Sequence, residues 1–143
     1  MKQAKSTKTH AIPTRLIAPC GMNCRLCYAF IRDKKRCPGC LGDDVHKSIS
    51  CVRCRIKNCE KIAKGGSRYC FRCESYPCAR LKHLDKRYRT KYSMSMIENL
   101  EYIRQSGIRQ FIWREKERWA CPSCGGLLSV HRPRCLSCGH PWR

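Results

Sequence analysis

The chain has 143 residues, of which 15 are cysteine and 31 are lysine or arginine, against 10 aspartate and glutamate. This length allows one ordinary domain or two very small ones, and so much cysteine indicates a scaffold stapled by disulfides or by metal. The formal net charge of +21 argues against a protein whose own surface is acidic. It favours nucleic acid or another polyanion as the partner.

The first 17 residues are polar and basic, and we expect them to form a flexible arm that carries Lys2, Lys5 and Lys8. They lack the apolar run of a secretory signal, and no stretch of the chain is apolar enough for a membrane span. A reducing cytoplasm is therefore the expected location. The odd number of cysteines and the frequent Cys-x-x-Cys spacing then favour metal, most simply zinc, over disulfides.

Residues 18–79 are expected to form a cysteine-rich zinc-binding module. A gap of two and then four residues between cysteines occurs twice, in residues 51–59 and 70–78, which indicates paired metal-binding loops. The candidate metal ligands in this module are Cys20, Cys24, Cys27, Cys37, Cys40, Cys51, Cys54, Cys59, Cys70, Cys73 and Cys78.

The spacing leaves open how these thiols share metal. One division has three sites, with four cysteines in residues 24–40, four in the two Cys-x-x-Cys pairs at 51–54 and 70–73, and a third formed by Cys59, Cys78, Cys20 and His46. Bridging thiolates would use the same residues differently. An iron–sulfur cluster is the alternative to zinc here, because all-thiolate sites suit both.

Residues 80–118 contain no cysteine and are expected to be helical. Leu81, Leu84 and Tyr88 share one face of a helix whose other face is a cationic stripe. Ser95 and Glu98 have the spacing of a capping box, so a second helix begins there and is expected to end at Gly107. A third helix follows, with apolar residues at helical intervals from Ile108 to Trp119.

The last 25 residues, 119–143, have the pattern of a zinc ribbon. Two Cys-x-x-Cys-Gly knuckles would close one tetrahedral zinc site with the ligands Cys121, Cys124, Cys135 and Cys138. Four thiolates suffice, so His131 and His140 are interpreted as surface histidines. The fold class expected for the whole chain is a small metal-stabilised α+β protein that binds about three to four zinc ions.

Several motifs resemble a microbial cysteine-rich family catalogued as domain of unknown function 3795. The motifs are residues 19–24 (Pro-Cys-Gly-Met-Asn-Cys), 37–40 (Cys-Pro-Gly-Cys) and 76–81 (Tyr-Pro-Cys-Ala-Arg-Leu), followed by residues 84–92 and 119–122. The resemblance extends from about Pro19 to Cys138. It implies metal binding and carries no activity with it.

The leading functional hypothesis is a zinc-binding protein that binds nucleic acid, RNA rather than DNA, through basic side chains that contact phosphates. Tyr88, Tyr92 and Trp142 lie among these charges and would either stack on bases or pack the helices onto the cysteine module. The predicted phosphate contacts are Arg80, Lys82, Lys86, Arg87, Arg89, Lys91, Arg132 and Arg134.

Two alternatives stay open: an iron–sulfur protein for electron transfer or sensing that docks an acidic protein, and a zinc-dependent protein-interaction adaptor. The spacing of Cys20, Cys24 and Cys27 is also that of radical S-adenosylmethionine enzymes. The chain is far too short for their barrel and has no glycine-rich cofactor segment. No other catalytic constellation is visible, so we expect a protein that is not an enzyme.

Overall fold

A computed structural model describes residues 11–65 and 68–143 of the chain, so residues 1–10 of the predicted basic arm lie outside it. The described part contains short 3₁₀ turns at Thr14–Leu16, Cys24–Leu26 and Cys70–Arg72. Its α-helices are α1 (Tyr28–Ile31), α2 (Ile49–Val52), α3 (Glu60–Gly65), α4 (Ala79–Tyr92), α5 (Met96–Ser106) and α6 (Ile108–Arg118).

Residues 11–17, at the end of the predicted arm, pack against the helices. Ile12, Leu16 and Ile17 are all buried, and Ile12 and Ile17 share a small apolar cluster with Ile103 and Phe111. This segment therefore joins the cysteine-rich part of the chain to α5 and α6.

The three predicted helices of the middle segment are confirmed as α4, α5 and α6. The Ser95 hydroxyl accepts the Glu98 N–H at 3.1 Å, as a capping residue should, and Gly107 ends α5 with a φ of +88°. Leu100, Ile103 and Phe111 are buried where the helical periodicity predicted. None of the described helices combines the length and the apolarity that a bilayer span requires.

The predicted α+β class is not confirmed, because the described residues contain isolated β-bridges and no extended strand. Two of these bridges, Ala120 with Leu127 and Arg134 with Pro141, belong to the C-terminal knuckles. In the second bridge the Trp142 N–H donates to the Pro133 carbonyl at 3.0 Å, and Pro133 has no N–H with which to extend the ladder. The structure is a small helical, cysteine-rich fold.

Asp85, a residue of α4 that is only 4% exposed, joins this helix to α5 by hydrogen bonds. One carboxylate oxygen accepts the Ser95 hydroxyl at 2.6 Å and the Ile97 N–H at 3.0 Å. The other accepts Arg89 Nε at 2.7 Å. Although burial opposes ionisation, these donors lower the pKa of Asp85 below its ordinary value, so the ionised carboxylate caps α5.

The substitution Asp85→Ala should lower the free energy of unfolding by about 2–3 kcal/mol, because it leaves two buried donors without an acceptor. Lys82→Ala, an exposed position on the same helix, should change it by less than about 0.5 kcal/mol. Urea unfolding of the metal-loaded protein, followed by circular dichroism, measures both. Equal stability of the two variants would show that Asp85 does not hold α5.

Candidate metal centre

The four C-terminal cysteines form a compact cluster, called here the C-terminal quartet: Cys121, Cys124, Cys135 and Cys138. Their four sulfur atoms all lie within 4.8 Å of one another. The closest pairs are Cys121 with Cys138 at 3.7 Å and Cys124 with Cys135 at 3.6 Å. A tetrahedral ion with metal–sulfur bonds of about 2.3 Å sets its ligands about 3.8 Å apart, which is the spacing seen.

Each half of the quartet is a tight turn, closed by the Gly125 N–H on the Cys121 carbonyl and by the Gly139 N–H on the Cys135 carbonyl, both at 2.9 Å. In the first half, backbone N–H groups also point at sulfur. The Ser123 N–H donates to Cys121 Sγ and the Gly126 N–H to Cys124 Sγ, both at 3.4 Å. The glycine that follows each second cysteine adopts a positive φ, +77° at Gly125 and +78° at Gly139. The knuckle geometry that the sequence predicted is therefore present in both halves.

The thiols of the quartet do not ionise equally. Although the Gly126 N–H opposes it, burial followed by the neighbouring thiols raises the pKa of Cys124 to about 12. Backbone N–H groups, first that of Cys124 and then that of Ser123, lower the pKa of Cys121 to about 7. No disulfide consumes the sulfurs, since all fifteen cysteines are free thiols. Four thiolates this close repel one another strongly unless a cation lies between them. The quartet is thus a metal-binding arrangement without an open coordination position.

The substitution Cys135→Ser should remove about one metal ion per chain and unfold residues 119–143, because metal binding supplies the folding energy of such a segment. Elemental analysis measures the ion. Trp119 fluorescence reports the unfolding, since its ring packs edge-on against Trp142 at 5.4 Å.

Ser123→Ala is the matched control, because only the backbone of Ser123 contacts sulfur. It should keep both the ion and the Trp119 emission. Retention of the full metal content by Cys135→Ser would contradict the assignment.

Seven N-terminal cysteines lie within electrostatic reach of one another. The Cys40 N–H donates to Cys24 Sγ at 3.4 Å. Burial, followed by the thiols of Cys40, Cys27 and Cys37, raises the pKa of Cys24 to about 12. Burial and then Cys54 contribute most to raising the pKa of Cys40 to about 11. This seven-cysteine group consists of Cys20, Cys24, Cys27, Cys37, Cys40, Cys51 and Cys54.

The other four N-terminal cysteines line one cavity: Cys59, Cys70, Cys73 and Cys78. After burial and the thiols of Cys78, Cys59 and Cys73, Cys54 of the seven-cysteine group also raises the pKa of Cys70, so the two groups adjoin. The last cysteine of the first loop, Cys59, faces the same cavity as all three cysteines of the second. The predicted division, in which Cys70 and Cys73 joined Cys51 and Cys54, stays a prediction.

Buried polar side chains from the helices hold the loop between Cys20 and Cys24. The Asn99 amide donates to the Gly21 carbonyl at 3.0 Å and in turn accepts Arg114 Nη2 at 3.3 Å. Asn23 Nδ2 donates to Glu115 Oε1 at 3.3 Å. Asn23, Asn99 and Glu115 are all fully buried, so α5 and α6 fix the position of the loop.

Gly21 is required at the centre of this loop. Its φ is +92°, and a Cβ there would lie 2.8 Å from the Met96 carbonyl oxygen, a backbone atom that cannot move aside alone. Gly107 has a similar φ of +88° but nothing within 4 Å of its Cβ position. The two glycines thus share the backbone constraint and differ in the close approach.

Gly21→Ala should lower stability by more than Gly107→Ala, which should cost about 1–3 kcal/mol, because the φ of +88° and ψ of 162° at Gly107 are adopted essentially by glycine alone. The additional loss at Gly21 reflects the clash with α5. Thermal unfolding of both variants gives the comparison, and titration with a thiol reagent tests whether Cys20 and Cys24 become accessible in Gly21→Ala alone. Equal unfolding temperatures for the two would show that the close approach is unimportant.

The side chains predicted to contact nucleic acid are all exposed. The buried and half-buried positions of α4 are Leu81, Leu84, Asp85, Tyr88 and Tyr92, which share one face, and the six basic residues cover the remainder. The exposed cations are Arg80, Lys82, Lys86, Arg87, Arg89 and Lys91 on α4, with Arg132 and Arg134 beside the quartet.

His131 docks α4 onto the C-terminal segment instead of standing free at the surface, as was expected of it. Its Nδ1 accepts the Tyr28 N–H at 3.3 Å, so the opposite nitrogen, Nε2, donates to the Tyr88 hydroxyl at 2.9 Å. The Tyr92 ring packs edge-on against the imidazole at 4.8 Å. Burial, then Arg132 and Arg143, lowers the pKa of His131, which keeps the ring neutral. His140 is half-buried, and its carbonyl accepts the Cys135 N–H at 2.9 Å.

The comparison with known families tests the family resemblance predicted from the sequence. Residues 16–83 match the family described as Protein of unknown function (DUF3795). The predicted resemblance is confirmed for this segment, which contains all eleven N-terminal cysteines, whereas the motifs beyond residue 83 lie outside the match. No curated protein and no solved structure matches the chain.

Proposed function

We propose that this is a zinc-stabilised protein that binds nucleic acid, RNA in preference to DNA, through a basic face built from α4 and the C-terminal segment. The role is one of binding and not of catalysis. Zinc is proposed for the C-terminal quartet because four thiolates at tetrahedral spacing, with no open position, suit a closed structural zinc site. Free thiols throughout the chain fit the reducing cytoplasm predicted for it.

The observation that carries the proposal is that two basic segments, distant in sequence, are joined into one surface. Arg143 donates to the Lys91 carbonyl at 2.6 Å and lies over the Tyr92 ring at 5.7 Å. The bond between Tyr88 and His131 holds the same two segments together. The charges of α4 are therefore joined, near the C-terminal end of this helix, to the segment that carries Arg132, Arg134 and Arg143.

Little acidic charge opposes this face. Asp85 is the one acid within α4, and it is buried against α5, where it pairs with Arg89. Lys82 and Lys86 have no hydrogen-bond or ion-pair partner among the described residues, so their ammonium groups are available to phosphates. Arg89 is partly neutralised, and we expect it to contribute less than the two lysines.

RNA is favoured because aromatic rings lie among the cations. Tyr92 and Trp142 are half-buried, and each carries an arginine over its ring, at 5.7 Å and 5.2 Å from Arg143. Their inner faces are used for packing, so stacking on unpaired bases is proposed for the exposed edge of this cluster only. Phosphate contacts are expected to dominate the affinity.

The double substitution Lys82→Gln/Lys86→Gln should weaken binding to a single-stranded RNA oligonucleotide by about tenfold at ~100 mM salt. It should also reduce the slope of log K against log salt by about 1.4, because each lost phosphate contact removes about 0.7. Fluorescence anisotropy over a salt series measures both quantities, with DNA of the same sequence in parallel.

Arg109→Gln/Lys116→Gln is the matched control, since it removes the same charge from exposed positions on α6. It should leave the salt slope unchanged. Equal losses in the two variants would mean that only net charge matters, and the proposed face would be rejected. Equal affinity for RNA and for an acidic polypeptide would instead favour a protein partner and contradict the proposal.

A further inference from the structure

A cavity of about 560 Å³ lies between α3, the 3₁₀ turn Cys70–Arg72 and the start of α4. Apolar side chains, among them Ile56, Ile62 and Leu81, form part of its wall. Four of the fifteen cysteines line the same space, and they are Cys59, Cys70, Cys73 and Cys78. No other cysteine lines it.

Local backbone structure positions three of these thiols. Cys70 opens the 3₁₀ turn and is buried, and Cys73 ends the turn, where its sulfur accepts the Ser75 N–H at 3.4 Å. Cys78 is the residue immediately before α4, so its sulfur is near the positive end of a 14-residue helix.

The four thiols also lie close enough together to affect the pKa of Cys70. Burial raises the pKa of Cys70 to about 12, and the neighbouring Cys78, Cys59 and Cys73 add to that increase. Arg55, Lys61 and Arg80 line the same cavity, against the single acid Glu60. The wall thus carries a positive excess that would offset an anionic metal–thiolate group.

The cavity differs from the C-terminal quartet in its dimensions. In the quartet the sulfurs are packed to 3.6 and 3.7 Å and all lie within 4.8 Å of one another. In residues 11–65 and 68–143 the cavity thiols do not reach that mutual closeness. They surround an open space instead. A single ion draws four thiolates to about 3.8 Å, whereas an iron–sulfur cluster binds each thiolate on a different iron and holds them farther apart.

We propose that this cavity holds a four-iron, four-sulfide cluster whose thiolate ligands are Cys59, Cys70, Cys73 and Cys78. Two ferric ions, two ferrous ions and four sulfides enter from outside and keep their oxidation states. Each thiol gives its proton to solvent as its sulfur bonds to one iron. The cluster is anionic with four thiolates bound, and the three basic side chains of the wall stabilise it. The apolar wall limits access of water to the sulfides. This site is independent of the proposed nucleic-acid face and of the zinc in the quartet.

The test is anaerobic reconstitution of the full chain with equal amounts of ferric and ferrous iron and with sulfide, followed by iron, sulfide and zinc analysis and by Mössbauer spectroscopy. A cluster in the cavity predicts about four iron and four sulfide per chain, with the zinc of the quartet retained. Cys73→Ser should lose most of the iron and sulfide. Cys138→Ser, the same replacement in the quartet, should lose zinc and keep both.

A second measurement uses the unaltered chain, so it does not depend on how the variants fold. Alkylation of the reconstituted and the metal-stripped protein, read by mass spectrometry, should show protection of Cys59, Cys70, Cys73 and Cys78 that requires sulfide. A reconstituted chain that holds zinc and no acid-labile sulfide would overturn the proposal. So would protection by sulfide confined to the seven-cysteine group. Either result leaves the RNA titration unaffected.

Discussion

Thiolate repulsion is the constraint on which the C-terminal part of the molecule depends. Sulfur atoms 3.6 and 3.7 Å apart carry too much like charge to coexist in the ionised form without a cation. The described residues of this region contain no extended strand, so the quartet, which is compatible with metal binding, takes the place of a sheet in holding its two halves together. The contacts of Trp119 with Trp142 and of His131 with Tyr88 depend on the quartet holding this region together.

Buried polar groups, in addition to apolar packing, fix the position of the loop between Cys20 and Cys24. Asn99, Asn23 and Glu115 hold the loop between Cys20 and Cys24 from the helical side, and Ser129 donates to the Leu26 carbonyl at 3.1 Å from the C-terminal side. Small proteins bury a small fraction of their surface, so directional bonds contribute much of the specificity here. The loop is therefore positioned by two distant segments before any metal binds.

The sequence predicted what depends on local pattern. The three long helices followed from apolar periodicity and from Ser95 and Gly107, and the knuckles followed from Cys-x-x-Cys-Gly spacing. The docking of His131, the carboxylate of Asp85 and the burial of Asn23 could not be predicted in this way. Each depends on a partner on another element, up to 92 residues away for Asn23 and Glu115. An aromatic pair four residues apart, Tyr88 and Tyr92, was the one local signal of that docking.

The division of the N-terminal cysteines shows the same limit. The repeated spacing suggested two equivalent loops, yet Cys59 lies with the second loop at the cavity. Spacing fixes which thiols can share an ion within one turn, and it carries no information about which turns the chain brings together.

Helix α4 is restrained at both ends, by Cys78 at the cavity and by Arg143, which bonds the carbonyl of Lys91. A helix held in this way has its backbone conformation fixed, so its charged side chains project from set positions around it. A flexible chain of the same composition would lose backbone entropy each time it bound a partner, whereas this helix has lost that entropy already on folding.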